Sequence, residues 1–132
     1  MKNDSLKYIF TGFVFLFLAV GIGAFGAHGL KNIVTGKYIE TFNTGSNYHF
    51  IHSFSLILVG LTSFIIKKPL KVSYYSYIVG IFLFSFNCYL YAITKNKIFA
   101  MIVPIGGFAF LIGHFFAFLK VYVELKNNRT HI

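Results

Sequence analysis

The chain has 132 residues, 57% of them hydrophobic and only 11% charged, with a mean hydropathy of +0.72. A soluble domain carries roughly 45–50% apolar and about 25% charged residues, so a water-covered fold is excluded and lipid must cover the surface instead. Twelve Lys/Arg against three Asp/Glu give a formal charge of +9; the cations fall in short groups between apolar runs, so their expected counter-charges are anionic lipid headgroups and not nucleic acid.

The first apolar run, from Tyr8 to Ala27, holds 20 residues without a formal charge, enough to cross a hydrocarbon core of roughly 30 Å as a helix. A secretory signal competes as a reading, because Lys2 and Lys7 precede the run and Ala24, Gly26 and Ala27 end it. The apolar core of such a signal is about 7–15 residues, so this run is expected to be a retained span. Four spans are expected, at about 8–29, 48–66, 72–94 and 98–119, in a single membrane domain covering residues 1–132. An outer loop over 30–47 is expected to contain an interfacial helical turn, because Tyr38, Ile39 and Phe42 fall at helical spacing. Lys67-Lys68-Pro69 closes the second span, and the two later connections are too short for anything but antiparallel hairpins. The fold class is therefore an all-α integral membrane bundle of four transmembrane helices, up-and-down and antiparallel. Lys2, Lys7, Lys67, Lys68, Lys71, Lys120, Lys126 and Arg129 fall on one side, against Lys31, Lys37, Lys95 and Lys97 on the other, which puts both termini in the cytoplasm.

Gly21-x-Gly23-x-x-Gly26 matches a dinucleotide fingerprint only on paper, since that chemistry needs a βαβ unit. Ala19, Gly23 and Ala27 are spaced by four and read as a smooth ridge for helix packing. Gly106, Gly107 and Gly113 are assigned the same role on the fourth span, with a kink expected at Pro104. Asp4, Glu40 and Glu124 all fall outside the expected spans. Without a carboxylate in the bilayer, a proton-coupled exporter of the small four-helix multidrug type and acid/base catalysis by paired carboxylates are both disfavoured. The single cysteine, Cys88, permits no intrachain disulfide, and no base at fixed spacing activates it as a nucleophile.

The remaining polar residues gather at the expected outer level. His28 ends the first span, Tyr48, His49 and His52 open the second, and Asn87 lies in the outer half of the third. Imidazoles ligate metals and titrate near neutral pH, so His28, Tyr48, His49, His52 and Asn87 form the candidate polar cluster; the alternative is that each histidine bonds a neighbouring helix. His114 sits deeper, toward the cytoplasmic half of span four, and is expected to be a helix-contact residue; His131 is a tail residue.

Gly23-Ala24-Phe25-Gly26-Ala27-His28, Tyr48 with His52, Phe84-Ser85 with Tyr89, and Pro104-Ile105-Gly106-Gly107 with Gly113 resemble, in that order, the YgdD/YwdK family of small four-span bacterial membrane proteins of unknown function. The resemblance covers nearly the whole chain and implies a multi-pass cell-membrane protein with no assigned activity. His49 stands where that family usually has Gln, and His114 where it usually has Trp.

The expected function is a structural or accessory membrane component, not an enzyme and without a cofactor, acting as a homo-oligomer or with a membrane-protein partner. The alternative is a small transport or binding protein with an outward-facing His/Tyr site for a metal ion, proton or small polar solute.

Overall fold

A computed structural model describes residues 2–129; His131 lies outside them. Four helices long and apolar enough to cross a membrane follow one another: α1 (Lys2–His28), α2 (Lys37–Ile65), α3 (Lys71–Thr94) and α4 (Lys97–Arg129). No strand occurs among the described residues. The helices run up and down, and α1 packs along α2 while α4 packs along α3.

The packing stripe of α1 repeats in steps of three and four: Ser5, Tyr8, Gly12, Phe15, Ala19 and Gly26 are its buried residues. That is a heptad seam. Every seventh position in it is small (Ser5, Gly12, Ala19, Gly26), and α2 answers with Ser46, Ser53 and Gly60. A Cβ on Gly12 would strike the backbone of Ser53 and Ile57, one on Gly60 the backbone of Ser5 and Ile9, and one on Gly26 the Phe42 ring. Without a hydrophobic drive between helices in lipid, such close backbone approach is what dispersion needs.

The expected ridge of Ala19, Gly23 and Ala27 is corrected accordingly. Ala19 is fully buried, Gly23 is half-buried with room for a methyl group, and Ala27 is exposed. A stripe in steps of four drifts around a helix with 3.6 residues per turn, whereas alternating threes and fours stay on one face.

On α4 the stripe facing α3 is Gly106, Phe110 and Gly113. Gly106 lies against the backbone of Leu83 and Phe84, Gly113 against the Tyr77 ring, and Phe110 against Gly80. Gly107 faces the Phe84 ring with room for a methyl group, so close approach of the helices does not depend on it. Pro104 lies inside the helix, which continues unbroken to Arg129.

The outer loop is shorter than 30–47. A single 3₁₀ turn, Leu30–Asn32, follows α1, and Gly36, with φ of +58°, supplies the left-handed residue before α2 begins at Lys37. Residues 37–47 then continue directly into the span. Thr41 and Thr44 hydroxyls donate to the carbonyls of Lys37 and Glu40, so they do not interrupt the helix. Phe42 packs with Leu30, Val34, Tyr89 and Ala92 as an outer apolar cap. Glu40 is thus helical, and so are Asp4 near the start of α1 and Glu124 in the last turns of α4.

The α3–α4 turn is set by Lys95 in the left-handed region and by Asn96, whose Oδ1 accepts from the Ile98 N–H at 3.0 Å, an N-cap. At the opposite end Lys68 Nζ meets Glu124 Oε1 at 2.6 Å, tying the α2–α3 turn to α4. Within α3 the α-helical ladder gives way to a π turn at Ile81–Phe86. Asn87 Nδ2 donates to the Phe82 carbonyl at 3.0 Å, satisfying an oxygen in the loosened ladder.

Candidate functional site

Two polar groups lie inside the bundle. In the first, His49 is completely buried between α1, α2 and α3, its Nδ1 3.1 Å from the Tyr89 hydroxyl and its ring edge-on to Phe15. The Ser53 hydroxyl donates to the His49 carbonyl at 2.7 Å. His49 Nε2 has no hydrogen-bond partner among the described residues.

The second group crosses from α2 to α4. His52 Nδ1 is 2.8 Å from the Tyr48 carbonyl, His52 Nε2 is 3.3 Å from His114 Nε2, and His114 Nδ1 is 2.8 Å from the Tyr77 hydroxyl. A carbonyl only accepts, so with both rings neutral the proton positions are determined in order. His52 carries its proton on Nδ1 and accepts at Nε2; His114 donates from Nε2 and accepts at Nδ1; Tyr77 donates. Phe110 lies flat under the His52 ring, with centres 3.4 Å apart.

Around this row α2 and α4 stand apart. A cleft of about 460 Å³ lies between them, reaching from His114 and Tyr77 to Leu125, and a second of about 570 Å³ lies on the other side, beside Tyr48, His52 and Pro104. His114 borders both.

The expected cluster is thus divided. Tyr48 and His52 do come together, His49 faces the other side of α2, and Asn87 serves the π turn. His28 is exposed, with its carbonyl accepting from Asn32. The α1–α2 register, with Gly26 against Phe42 and Gly12 against Ile57, leaves His28 roughly 12 Å of helix rise beyond the level of His49. The reason is the early start of α2: beginning at Lys37, about three turns before Tyr48, it carries His49 and His52 from the outer end toward the middle of the helix.

Tyr77 was missed, Tyr89 stood only among the residues of the family pattern, and His114 was placed apart from the row it belongs to. A signal for His114 is present in the sequence: it follows Gly113 directly and lies four residues after Phe110, at the edge of the stripe that packs on α3.

The sequence profile of DUF423, a protein family of unknown function, matches residues 22–107. The chain belongs to the DUF423 family. Among DUF423 relatives, it is 36% identical to the UPF0382 membrane protein YwdK of Bacillus subtilis over 107 residues, covering 80% of this chain and 87% of the relative. It is also 36% identical to a UPF0382 membrane protein of Haemophilus influenzae over 113 residues, covering 86% and 89%. A similar protein of Staphylococcus saprophyticus is 34% identical over 108 residues, covering 80% of this chain and 88% of the relative. No solved structure matches this DUF423 chain significantly. The family carries no named activity, and its curated members are called membrane proteins, in keeping with the four spanning helices.

Proposed function

We propose that this chain is a non-catalytic accessory component of the cell membrane, with both termini in the cytoplasm. Its working form is a homo-oligomer or a complex with a larger membrane protein, seated among anionic lipids. The observation that carries this reading is the contrast between outside and inside. Phe108, Leu111, Phe115 and Phe118 on α4 and Phe10, Phe13 and Phe17 on α1 all face outward, while the imidazoles within the spans bond to other helices or to their own backbone. The end holding Lys7, Lys67, Lys68, Lys71 and Lys120 supports the cytoplasmic assignment and a headgroup contact.

The test is native mass spectrometry of the untagged protein taken gently from its own membrane. The expected result is a defined oligomer or complex retaining anionic phospholipid; a lipid-free monomer would overturn the proposal. Orientation is read from cysteine labelling in intact cells with a membrane-impermeant maleimide. Gly36→Cys should label directly, and Lys126→Cys only after permeabilisation.

A further inference from the structure

We propose that His52 and His114 form a two-imidazole site for a tetrahedral d¹⁰ cation, Zn²⁺ in the first place, on the floor of the cleft between α2 and α4. The proposal is independent of the accessory role. Two imidazole nitrogens bound to one tetrahedral ion at about 2.0–2.1 Å lie about 3.3 Å apart, with ring centres about 5.2 Å apart. Here the two Nε2 atoms are 3.3 Å apart and the ring centres 5.3 Å. The same spacing serves a bent Nε2–H···Nε2 hydrogen bond in the ion-free chain, so the rings need not move far to take the ion.

The outer nitrogens are engaged as ligating histidines require. The Tyr48 carbonyl holds the His52 proton on Nδ1 and leaves a lone pair on Nε2. On His114 the proton moves from Nε2 to Nδ1, where the Tyr77 hydroxyl turns from donor to acceptor at the same 2.8 Å contact. Both rings stay neutral, both Nε2 lone pairs become available, and no proton leaves the site. Carbonyl and hydroxyl partners of this kind orient a ligating imidazole and raise its basicity, and Phe110 fixes the plane of His52.

Two protein donors leave two of four positions open, and a cleft lies on each side of the pair to admit their occupants. No group of three or more metal-binding side chains occurs among the described residues, and Asp4, Glu40 and Glu124 sit near helix ends. The ion therefore arrives with its own water or anion, and such a half-filled shell makes the site a labile one that loads and unloads, in contrast to a four-ligand structural centre.

The test uses the untagged chain in lipid nanodiscs, titrated with Co²⁺ as the spectroscopic stand-in and then with Zn²⁺. One Co²⁺ per chain with intense tetrahedral ligand-field bands, displaced by Zn²⁺, is expected. His52→Gln and His114→Gln should each abolish the bands, His28→Gln and His49→Gln should leave them, and Tyr77→Phe should weaken binding about tenfold or more by removing the oxygen behind His114. Bands that survive both His52→Gln and His114→Gln, or a native chain giving only weak octahedral Co²⁺ absorption, would overturn the proposal. Nitrogen NMR of the native chain with ¹¹³Cd²⁺ needs no variant. Coupling of cadmium to both Nε2 atoms supports the site, and its absence at saturating cadmium rejects it.

Discussion

The two sides of α2 are built on opposite principles. Toward α1 it presents Ser46, Ser53 and Gly60, small residues that bring backbones together with no space left. Toward α4 it presents Tyr48, His52 and Ser55 across open clefts, joined by one imidazole pair. The first contact is dispersion spread over the length of two helices; the second is a point contact that depends on proton positions. Stability should reside in the first and changeability in the second.

The strongest way to break this contrast is to crowd the α1–α2 seam. Gly12→Val drives a branched side chain into the Ser53 and Ile57 backbone, which cannot move aside. A loss of about 3 kcal/mol, the upper end of ordinary overpacking, is expected, read as a fall in Tm in detergent. Gly21→Val, with nothing within 4 Å, serves as the matched control and should leave Tm within a degree or two of the native value. Equal losses from both substitutions would remove the case for a seam.

Cutting the point contact should cost less. His114→Phe removes both of its hydrogen bonds, and interhelical bonds in membranes average about 0.6 kcal/mol with a maximum near 1.7; a loss of about 1 kcal/mol is expected. Tyr77→Phe deletes one hydroxyl and should cost about 0.6 kcal/mol, and a double-mutant cycle with His114→Phe should show the two effects to be non-additive. The smallest effects sharpen the seam's edge. Gly23→Ala and Gly107→Ala meet only ordinary contacts and should stay within about 0.5 kcal/mol.

Hydropathy and cation placement made the four antiparallel helices legible, because both follow directly from burial in lipid. The start of α2 was half legible: the helical spacing of Tyr38, Ile39 and Phe42 signalled a turn, but Lys37, Glu40, Thr41 and Thr44 look like loop residues, and the i−4 bonding of the two threonines with the packing of Phe42 under Leu30 and Tyr89 joins that turn to the span as one helix. That one boundary decides the depth of His49 and His52, so the candidate cluster was placed too far out and His28 was wrongly joined to it. The seam itself was written in the chain as Ser5, Gly12, Ala19 and Gly26, a repeat of seven that the more conspicuous spacing of four obscured. The meeting of His52 with His114 depends on how α3 holds α4, which no single helix encodes.

The π turn in α3 has a consequence for how this chain tolerates change in length. Inward positions include Tyr74 and Tyr77 before it, Ile81 and Ser85 within it, and Cys88, Tyr89 and Ala92 after it. A π turn takes up one residue more than an α turn, so the surplus residue is absorbed locally and the helix beyond it keeps the phase of a chain one residue shorter. Deleting Leu83 should therefore close the bulge into a regular helix with Ser85, Tyr89 and Ala92 still turned inward, whereas a deletion within α2, which has no such turn, would rotate everything beyond it by about 100°. An irregularity that looks like a defect in one helix is slack of one residue, which that helix can give up without turning its far half.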